Sequence, residues 1–348
     1  MNRENENKIR AARKDEHIKL FMQSTSAKNN GFKDIVIQNN ALPEIDFGDI
    51  STGHVFLNKH ISMPVMINAV TGGTDYTYEI NKQLAQLSLH CNIPMAVGSQ
   101  TIAIHDTSKQ ESFKVVREVN KSGVIIANVS ASSSYDNVCE AVEMVAADAI
   151  QLHLNTAQEI CMGEGDRGFK GILNNIKNIV HVAKVPVIVK EVGFGISYET
   201  AKKLHNVGVK YIDTGGKGGT NFIAIEDSRN KDLDYSFLKH WGIPTALSLI
   251  ECKHVSKELH IICSGGITKA EEIVKAITMG AALTGISGLI LRELLDKGYD
   301  GAKACIEKLQ YEMKVFMLLL GVDDIEKLSK TNYLLKGELQ QIYKQKFL

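Results

Sequence analysis

Short apolar stretches alternate with longer amphipathic stretches along most of this chain. Several apolar stretches are near-continuous runs of Val, Ile, Leu and Ala, which is typical of parallel strands covered on both faces. Residues 198–207 and 269–279 instead repeat their apolar positions with helical spacing. Eight such βα units favour a closed α/β barrel, the (β/α)8 or TIM-barrel architecture, over an open sheet. The candidate strands are residues 64–69, 94–97, 124–127, 149–154, 186–189, 209–212, 243–247 and 260–263.

The same pattern predicts one domain. Residues 1–62 form an N-terminal extension, residues 63–300 form the barrel core, and residues 301–348 form C-terminal helices. No low-complexity linker or short-period repeat indicates a second domain.

Composition narrows the class of protein. A 348-residue chain with 44% hydrophobic and 23% charged residues is typical of a globular protein. The 40 basic residues equal the 40 acidic residues, so no general attraction to nucleic acid or to an anionic membrane is expected. An anionic ligand must therefore be held by a local site.

Cysteine usage and the chain ends predict a soluble, cytoplasmic protein. The six cysteines show no C-x-x-C spacing, which fits reduced thiols better than structural zinc. Ten of the first nineteen residues are charged, so no signal peptide is indicated. The apolar run at residues 315–320 is too short to cross a bilayer.

Polar residues recur just after the candidate strands. In a (β/α)8 barrel these positions converge on the C-terminal mouth, where the sites of such barrels lie. The positions are Thr71-Gly72-Gly73, Ser99-Gln100, Asn128, His153 with Asn155, Lys190-Glu191, Asp213-Thr214-Gly215-Gly216 and Ser264-Gly265-Gly266.

The stretch at residues 151–159 is the strongest of these signals. His153, Asn155, Gln158 and Glu159 follow a buried strand, where a core would tolerate few polar groups. Taken alone, the stretch also fits a strand that leaves the core through a solvated turn.

Two glycine-rich segments indicate an anion. Ser264-Gly265-Gly266-Ile267 follows the predicted eighth strand, and Gly280-Ala281-Ala282 lies about half a βα unit later. Small residues let backbone N–H groups approach a phosphate. Residues 215–220 offer a second backbone nest, although Gly-Gly also occurs in any tight turn.

Lys190 ends a run of apolar residues and is predicted to point into the mouth. A buried ammonium needs an anionic or electron-rich partner. It could form a Schiff base or stabilise negative charge on a flavin ring or a phosphate. The alternative is an ion pair with Glu191 or another carboxylate of the barrel wall.

Together these pieces resemble the type 2 isopentenyl-diphosphate isomerases, which are FMN-dependent barrel enzymes. The match covers residues 13 to about 282, in order, and departs from the family pattern at Val129, Phe222 and Thr268. The matching pieces are Arg13-Lys14 with His17, Thr71-Gly72-Gly73, Gly98-Ser99-Gln100, Asn128, residues 151–159, residues 186–197, Gly218-Gly219-Thr220 and Ser264-Gly265-Gly266.

The resemblance implies site residues for three ligands. It implies that Glu159 binds Mg²⁺ and that His153, Asn155 and Gln158 do the catalytic work. The substrate diphosphate would meet Arg13, Lys14, Ser99, Gln100, Thr101 and Gln158. FMN would be held by Ala69, Val70, Thr71, Ser99, Asn128, Lys190, Thr220, Gly265, Gly266, Ile267, Ala281 and Ala282.

The implied reaction interconverts isopentenyl diphosphate and dimethylallyl diphosphate in isoprenoid biosynthesis. Reduced FMN would act as acid and base without net electron transfer, and NADPH would only reduce the flavin. The resemblance also implies a homotetramer or larger homo-oligomer, a small-molecule diphosphate substrate, and no nucleic-acid or membrane partner.

Two other functions remain open at this point. An FMN-dependent oxidase of 2-hydroxy acids would need a His/Arg pair after the seventh and eighth strands, but no arginine lies between Arg229 and Arg292. A flavin-binding sensor or assembly subunit would bind FMN without turnover, which the set of polar residues at 153–159 disfavours.

Overall fold

Eight parallel strands close into a barrel. The structure is a computed structural model, and it describes residue 16 and residues 18–23, 29–163, 165–229 and 234–348. Strands β4 to β11 pair in chain order, and β11 pairs with β4 to complete the ring. The predicted (β/α)8 architecture is therefore confirmed. The strands are β1 Ile35–Ile37, β2 His54–Phe56, β3 Lys59–Ile61, β4 Val65–Ile67, β5 Met95–Ala96, β6 Ile125–Ser130, β7 Ala149–Leu154, β8 Val187–Glu191, β9 Tyr211–Asp213, β10 His260–Ser264, β11 Leu283–Ile286 and β12 Tyr333–Leu335.

The prediction of the seventh and eighth strands is wrong. Residues 243–247, read as a strand, enter the helix Thr245–Lys253, which is buried over almost its whole length. Because the helix has no exposed polar face, its apolar residues show no helical periodicity, and the short apolar run resembles a strand. Residues 260–263 belong to the seventh strand, β10, and the eighth strand is β11, Leu283–Ile286.

Helices pack around the barrel. Several begin at a side-chain cap that is visible in the sequence: Thr74 and Thr77 form a capping box, and Ser197 accepts from the backbone N–H of Thr200. The helices are Asp75–Cys91, Thr101–His105, Glu111–Val119, Tyr135–Met144, Thr156–Cys161, Ile172–Val182, Tyr198–Asn206, Phe222–Arg229, Thr245–Lys253, Ala270–Thr278, Gly288–Leu320, Ile325–Leu328 and Gly337–Phe347.

The extensions at the two ends of the chain meet. Strand β1 pairs antiparallel with β12, so the first and last strands form a two-stranded sheet outside the barrel. The long helix Gly288–Leu320 is interrupted at Gly298, which has φ 69° and ψ −171°, close to the predicted end of the barrel core.

The barrel interior is built in layers, because side chains along a strand alternate between its two faces. The lowest layer is apolar and packs against Phe56 of the β2–β3 hairpin at the N-terminal end of the barrel. Two residues further along the same strands the layer becomes polar, which makes it the floor of the mouth. The apolar layer contains Met66, Ile126, Ala149, Ile188, Ile262 and Leu283, and the polar layer contains Asn68, Asn128, Gln151, Lys190, Asp213 and Ser264.

No helix within the described ranges is long and apolar enough to cross a membrane.

Candidate active site

The loops at the C-terminal mouth are tied to one another. The backbone N–H of Gly98 donates to Thr71 O at 3.0 Å, which joins the loops after β4 and β5. The N–H of Gln100 donates to Asn128 O at 2.8 Å, which joins the loop after β5 to β6. The predicted convergence of the polar segments is therefore observed for these strands.

The end of β7 carries the candidate catalytic residues. Asn155 precedes the short helix Thr156–Cys161, whose first turn contains Gln158 and Glu159. The Asn155 Nδ2 donates to Glu159 Oε1 at 2.8 Å, and the N–H of Asp166 donates to Glu159 Oε2 at 2.8 Å. His153, Asn155 and Glu159 line one cleft, which Asp166 also lines.

Glu226 is a site residue that the sequence reading missed. The Gln158 Nε2 donates to Glu226 Oε1 at 3.0 Å, and both side chains are buried. Arg229 Nη1 contacts Glu226 Oε2 at 2.5 Å. A carboxylate can only accept, so the Gln158 amide must turn its NH₂ group toward Glu226. A lone glutamate in the apolar stretch at residues 222–226 was the signal available in the sequence.

Lys190 lies in the polar layer with a carboxylate partner. Its Nζ is 3.2 Å from Asp213 Oδ2 and donates to the backbone O of Glu191 at 2.9 Å. The alternative interpretation was an ion pair between Lys190 and a carboxylate of the barrel wall, and that partner is Asp213. The carboxyl group of Glu191 accepts instead from the backbone N–H groups of Phe194 and Gly195.

Asp213 is fully buried and accepts hydrogen bonds from residues of several strands. Its Oδ2 accepts from Asn68 Nδ2 at 2.7 Å and from Gln151 Nε2 at 3.3 Å. Its Oδ1 accepts from the Ser264 hydroxyl, and from the N–H of Gly215 at 3.2 Å. These contacts all come from donors, so both oxygens of Asp213 act as acceptors.

A hydrogen-bonded chain leads from this carboxylate to His153. Asn128 Nδ2 donates to Gln151 Oε1 at 2.8 Å, and His153 Nδ1 lies 2.9 Å from Asn128 Oδ1. Asn128, a predicted FMN residue, therefore has its whole amide engaged between Gln151 and His153.

Gln100 has a different environment from the one expected of a substrate ligand. Its side chain is fully buried, its Nε2 donates to Ala141 O at 2.9 Å, and its Oε1 accepts from the N–H of Asn128 at 2.9 Å. The amide thus holds β6 against the helix Tyr135–Met144. The neighbouring hydroxyls of Ser99 and Thr101 are 3.0 Å apart.

The glycine-rich loops after β9 and β10 interlock. Gly266 has φ +73°, and a Cβ there would collide with the carbonyl of Gly218. A Cβ on Gly265 would collide with the carbonyl of Gly216 in the same way. Only glycine allows this approach, so the loop that ends at Thr220 and the loop that leads to Ile267 present adjacent backbone at the mouth.

The structure does not bring Ala281 and Ala282 to this mouth. They immediately precede β11, and the N–H of Ala282 donates to Ile261 O at 2.8 Å. The backbone of Ala282 also hydrogen-bonds His54 of the hairpin at the N-terminal end of the barrel. The prediction that they hold the FMN phosphate is corrected: the residues that follow β11 at the mouth are Ser287 and Gly288. A Cβ on Gly288 would lie 3.9 Å from Thr220 Oγ1.

Arg13 and Lys14, predicted to bind the diphosphate, lie outside the described residues, as does His17.

Glu191 is a second buried carboxyl beside Lys190. Burial raises its pKa to about 8, although its Oε2 accepts from the N–H groups of Phe194 and Gly195. Folding therefore favours the protonated form more than the unfolded chain does, because there the pKa of a glutamate is near its ordinary value of 4.5.

This pKa predicts how stability changes with pH. The contribution of Glu191 is fully present below the unfolded pKa and is lost as pH rises from about 4.5 to about 8. We expect Glu191→Gln to flatten the fall in the free energy of unfolding over that window, by up to about 1.4 kcal/mol per pH unit. Urea unfolding at pH 5.5 and 7.5 checks this, and equal pH slopes in the two proteins would contradict it.

Comparison with known proteins identifies the family. A family model described as FMN-dependent dehydrogenase matches residues 170–335. An isopentenyl-diphosphate delta-isomerase of Geobacillus sp. (strain WCH70) is 44% identical over 330 residues, which cover 94% of each chain. That of Moorella thermoacetica is 40% identical over 329 residues, with 94% of each chain covered. The chain belongs to the isopentenyl-diphosphate delta-isomerase family. The match to the FMN-dependent dehydrogenase model fits the type 2, FMN-dependent branch of this family.

A solved flavoenzyme shares the fold. The crystal structure of a mandelate oxidase variant superposes with a TM-score of 0.67, covering 91% of this chain and 95% of that one, at 16% identity. At this identity the likeness supports the barrel architecture alone.

The mouth of this isomerase-family barrel fits FMN. The interlocked loops of Gly218 and Gly266 bring backbone close enough together to surround a phosphate, and this is the position where such barrels commonly bind one. Lys190 is a buried cation of the floor, next to that mouth. The family match supports FMN as the cofactor.

Glu159 is the carboxylate of this cleft that could take part in holding a magnesium ion. Within the described ranges no three His, Cys, Asp or Glu side chains form a metal-binding group. Mg²⁺ is commonly bound by one or two carboxylates together with substrate phosphates and waters, so a single Glu159 is compatible with it. Each oxygen of Glu159 accepts one donor and retains a second lone pair.

Proposed function

We propose that this protein interconverts isopentenyl diphosphate and dimethylallyl diphosphate, using reduced FMN for acid and base chemistry, as a step of isoprenoid biosynthesis. The observation that carries the proposal is family membership at 44% identity over 94% of the chain. The cluster of His153, Asn155, Gln158 and Glu159 at the end of β7 supports it with groups suited to a diphosphate and a metal.

The reaction adds a proton to the terminal alkene carbon and removes one from the allylic carbon. Protonation of an alkene develops positive charge, so an acid and an electron-rich surface must lie next to the substrate. With FMN bound and reduced, the flavin ring supplies both at this mouth. Gln158 would assist proton removal from the allylic carbon with its carbonyl oxygen, because its Nε2 donates to Glu226 and the N–H end of the amide is therefore engaged.

The diphosphate end of the substrate meets cations and donors. Arg13 and Lys14 are proposed as its charged ligands, and Ser99 and Thr101 as its hydroxyl donors. Gln100 is proposed to act by its backbone and by holding β6, because both ends of its side-chain amide are engaged. Glu159 would hold the Mg²⁺, which would supply positive charge for the diphosphate.

Substrate and product have the same oxidation state, so NADPH is needed only to reduce FMN. The test is an anaerobic assay with dithionite-reduced, Mg²⁺-loaded protein and no NADPH. We expect many turnovers per flavin, and deuterium in the product when the solvent is D₂O. One NADPH oxidised for each product formed would contradict the proposal.

An oxidase of 2-hydroxy acids is the competing function, since mandelate oxidase shares the fold. It would need an arginine at the mouth to clamp a carboxylate. The sequence between Arg229 and Arg292 has none, and Arg292 donates to the backbone oxygens of Phe21 and Met22. Oxidation of mandelate or lactate with release of hydrogen peroxide would support this alternative.

The metal role of Glu159 is testable by substitution. We expect Glu159→Gln to raise the Mg²⁺ concentration needed for half-maximal activity by about 10-fold or more, because even lost outer-shell contacts have effects of this size. FMN binding should not change. The measurement is an activity titration with Mg²⁺ beside an FMN titration.

Glu111→Gln is the matched control, since Glu111 is exposed and forms its ion pair within the described residues with Lys114. An unchanged Mg²⁺ requirement in Glu159→Gln would remove Glu159 from the metal site. An equal rise in both variants would show a general charge effect.

We also propose that the chain acts as one cytoplasmic domain that assembles into a homotetramer or larger oligomer. Tyr311, Leu319 and Leu334, near the C-terminal end, are 60%, 45% and 54% exposed and could supply apolar contacts. Light scattering of the purified protein measures the assembly, and a monomer would contradict it.

A further inference from the structure

The buried carboxylate of the polar layer determines how the neighbouring amide side chains are oriented. Asp213 is fully buried and can only accept, so Gln151 must turn its NH₂ toward it, at 3.3 Å. Asn68 reinforces this choice: its Nδ2 donates to Asp213 at 2.7 Å, and its Oδ1 accepts from Gln151 Nε2 at 2.9 Å. The carbonyl end of Gln151 is thereby turned toward Asn128.

The same constraint orients the next two side chains, Asn128 and His153, toward the mouth. Gln151 Oε1 must receive a donor, so Asn128 turns its NH₂ toward it, at 2.8 Å. The carbonyl end of Asn128 then faces His153 Nδ1, at 2.9 Å. An amide carbonyl cannot donate, so the hydrogen bond exists only if Nδ1 of His153 carries the proton.

We propose that Asp213, acting through Gln151 and Asn128, is a positioning residue that fixes the proton of His153 on Nδ1. Nε2 is then the nitrogen that gains or releases a proton at the mouth. When His153 is neutral, Nε2 is an acceptor. When His153 is charged, Nε2 is a cationic donor, while the bond from Nδ1 to Asn128 stays in place.

The consequence is a histidine with a fixed ring orientation in the cleft that Asn155 and Glu159 also line. The carboxylate is separated from the imidazole by two amides, so it orients His153 through the direction of these hydrogen bonds and not through direct contact. This ring orientation suits an anionic oxygen of the substrate at Nε2. Only that last step rests on the proposed function, because it takes the anion to be a diphosphate.

Selective ¹⁵N labelling of histidine tests the tautomer directly, since the two ring nitrogens of neutral histidine give distinct shifts when protonated or not. The FMN-loaded protein is measured on the alkaline side of the His153 titration. The chain has 11 histidines, so the His153 signals are assigned as those missing in His153→Gln. We expect one neutral species in the wild type, with the proton on Nδ1.

Gln151→Leu removes the hydrogen-bonded link between Asp213 and Asn128 while keeping similar bulk. Asn128 can then present either end of its amide, and we expect signals of the Nε2-protonated form to appear. We also expect the KM for isopentenyl diphosphate to rise about tenfold, as for the loss of a hydrogen bond to a charged group. Gln110→Leu is the matched control, because it makes the same replacement at an amide that contacts Ala103 O and Glu140 outside the mouth.

A proton on Nε2 in the wild type would overturn the assignment, and so would identical tautomers in Gln151→Leu and wild type. If Gln151→Leu does not fold, the wild-type spectrum alone decides. The spectrum does not depend on turnover, so an inactive protein with His153 protonated on Nδ1 would contradict the proposed reaction and leave this inference standing.

Discussion

Replacing Gln158 with leucine is expected to lower kcat by about 10²- to 10⁴-fold, the usual contribution of a positioned group in proton transfer. The KM for isopentenyl diphosphate and the affinity for FMN should change far less. A loss confined to kcat identifies an interaction used chiefly in the transition state. Steady-state kinetics of the reduced enzyme, beside an FMN titration, makes the distinction.

The geometry explains why leucine is the informative replacement. Leucine keeps similar bulk and removes both ends of the amide, while Glu226 retains Arg229 as a partner at 2.5 Å. Gln110→Leu is the matched control, because the Gln110 amide contacts Ala103 O and Glu140 outside the mouth. Wild-type kcat in Gln158→Leu would remove Gln158 from the chemistry.

The barrel could be predicted because most of its strands are continuous apolar runs. The eighth strand could not, because Thr284 and Gly285 interrupt a segment of only four residues, Leu283–Ile286. Gly285 is required by packing, since a Cβ there would lie 2.6 Å from Asn68 Nδ2. That constraint comes from a distant part of the chain, so periodicity within the segment gives no sign of it.

The error in the eighth strand also affects the predicted site. If residues 260–263 were the last strand, Ala281 and Ala282 would follow it, but they precede β11, the strand that leads to the mouth. The order of the other polar segments survived, because each follows a correctly predicted strand. The topology of parallel strands then brings those segments together without any further information.

The contacts within the polar layer are the part of the site that the sequence does not show, although Asn128, Lys190, Asp213 and Ser264 are among the polar residues predicted at the mouth. Asp213 and Gln151 are 62 residues apart and meet because β7 and β9 flank β8 and contribute to the same interior layer. Glu226 and Gln158 are 68 residues apart and meet through two helices. Long-range pairs of this kind leave no periodic signal in the sequence.

The likeness to mandelate oxidase concerns the fold and does not determine the function. The two barrels superpose with a TM-score of 0.67 at 16% identity. In the present chain the positions after β7 carry an amide and a carboxylate, Gln158 and Glu159, and the late loops carry no arginine before Arg292. Function therefore has to be argued from these side chains and not from the barrel.

Replacing Lys190 with methionine is expected to weaken FMN binding by about 10- to 200-fold, the range for a hydrogen bond to a charged group. It should also lower the free energy of unfolding by about 3 kcal/mol, because breaking a buried ion pair strands its partner. The stranded group is Asp213, which is fully buried and lies 3.2 Å from Lys190. FMN titration and urea unfolding measure the two effects.

A double variant separates the two roles of Lys190. In Lys190→Met with Asp213→Asn, no uncompensated charge remains at the pair, so most of the lost stability should return. If Lys190 contacts the flavin, FMN binding should stay weak in the double variant. If Lys190 only neutralises Asp213, FMN binding should recover together with stability. We expect the first outcome, because an ammonium has three N–H donors, and the contacts of Lys190 within the described residues, with Asp213 and with the backbone oxygen of Glu191, use two of them.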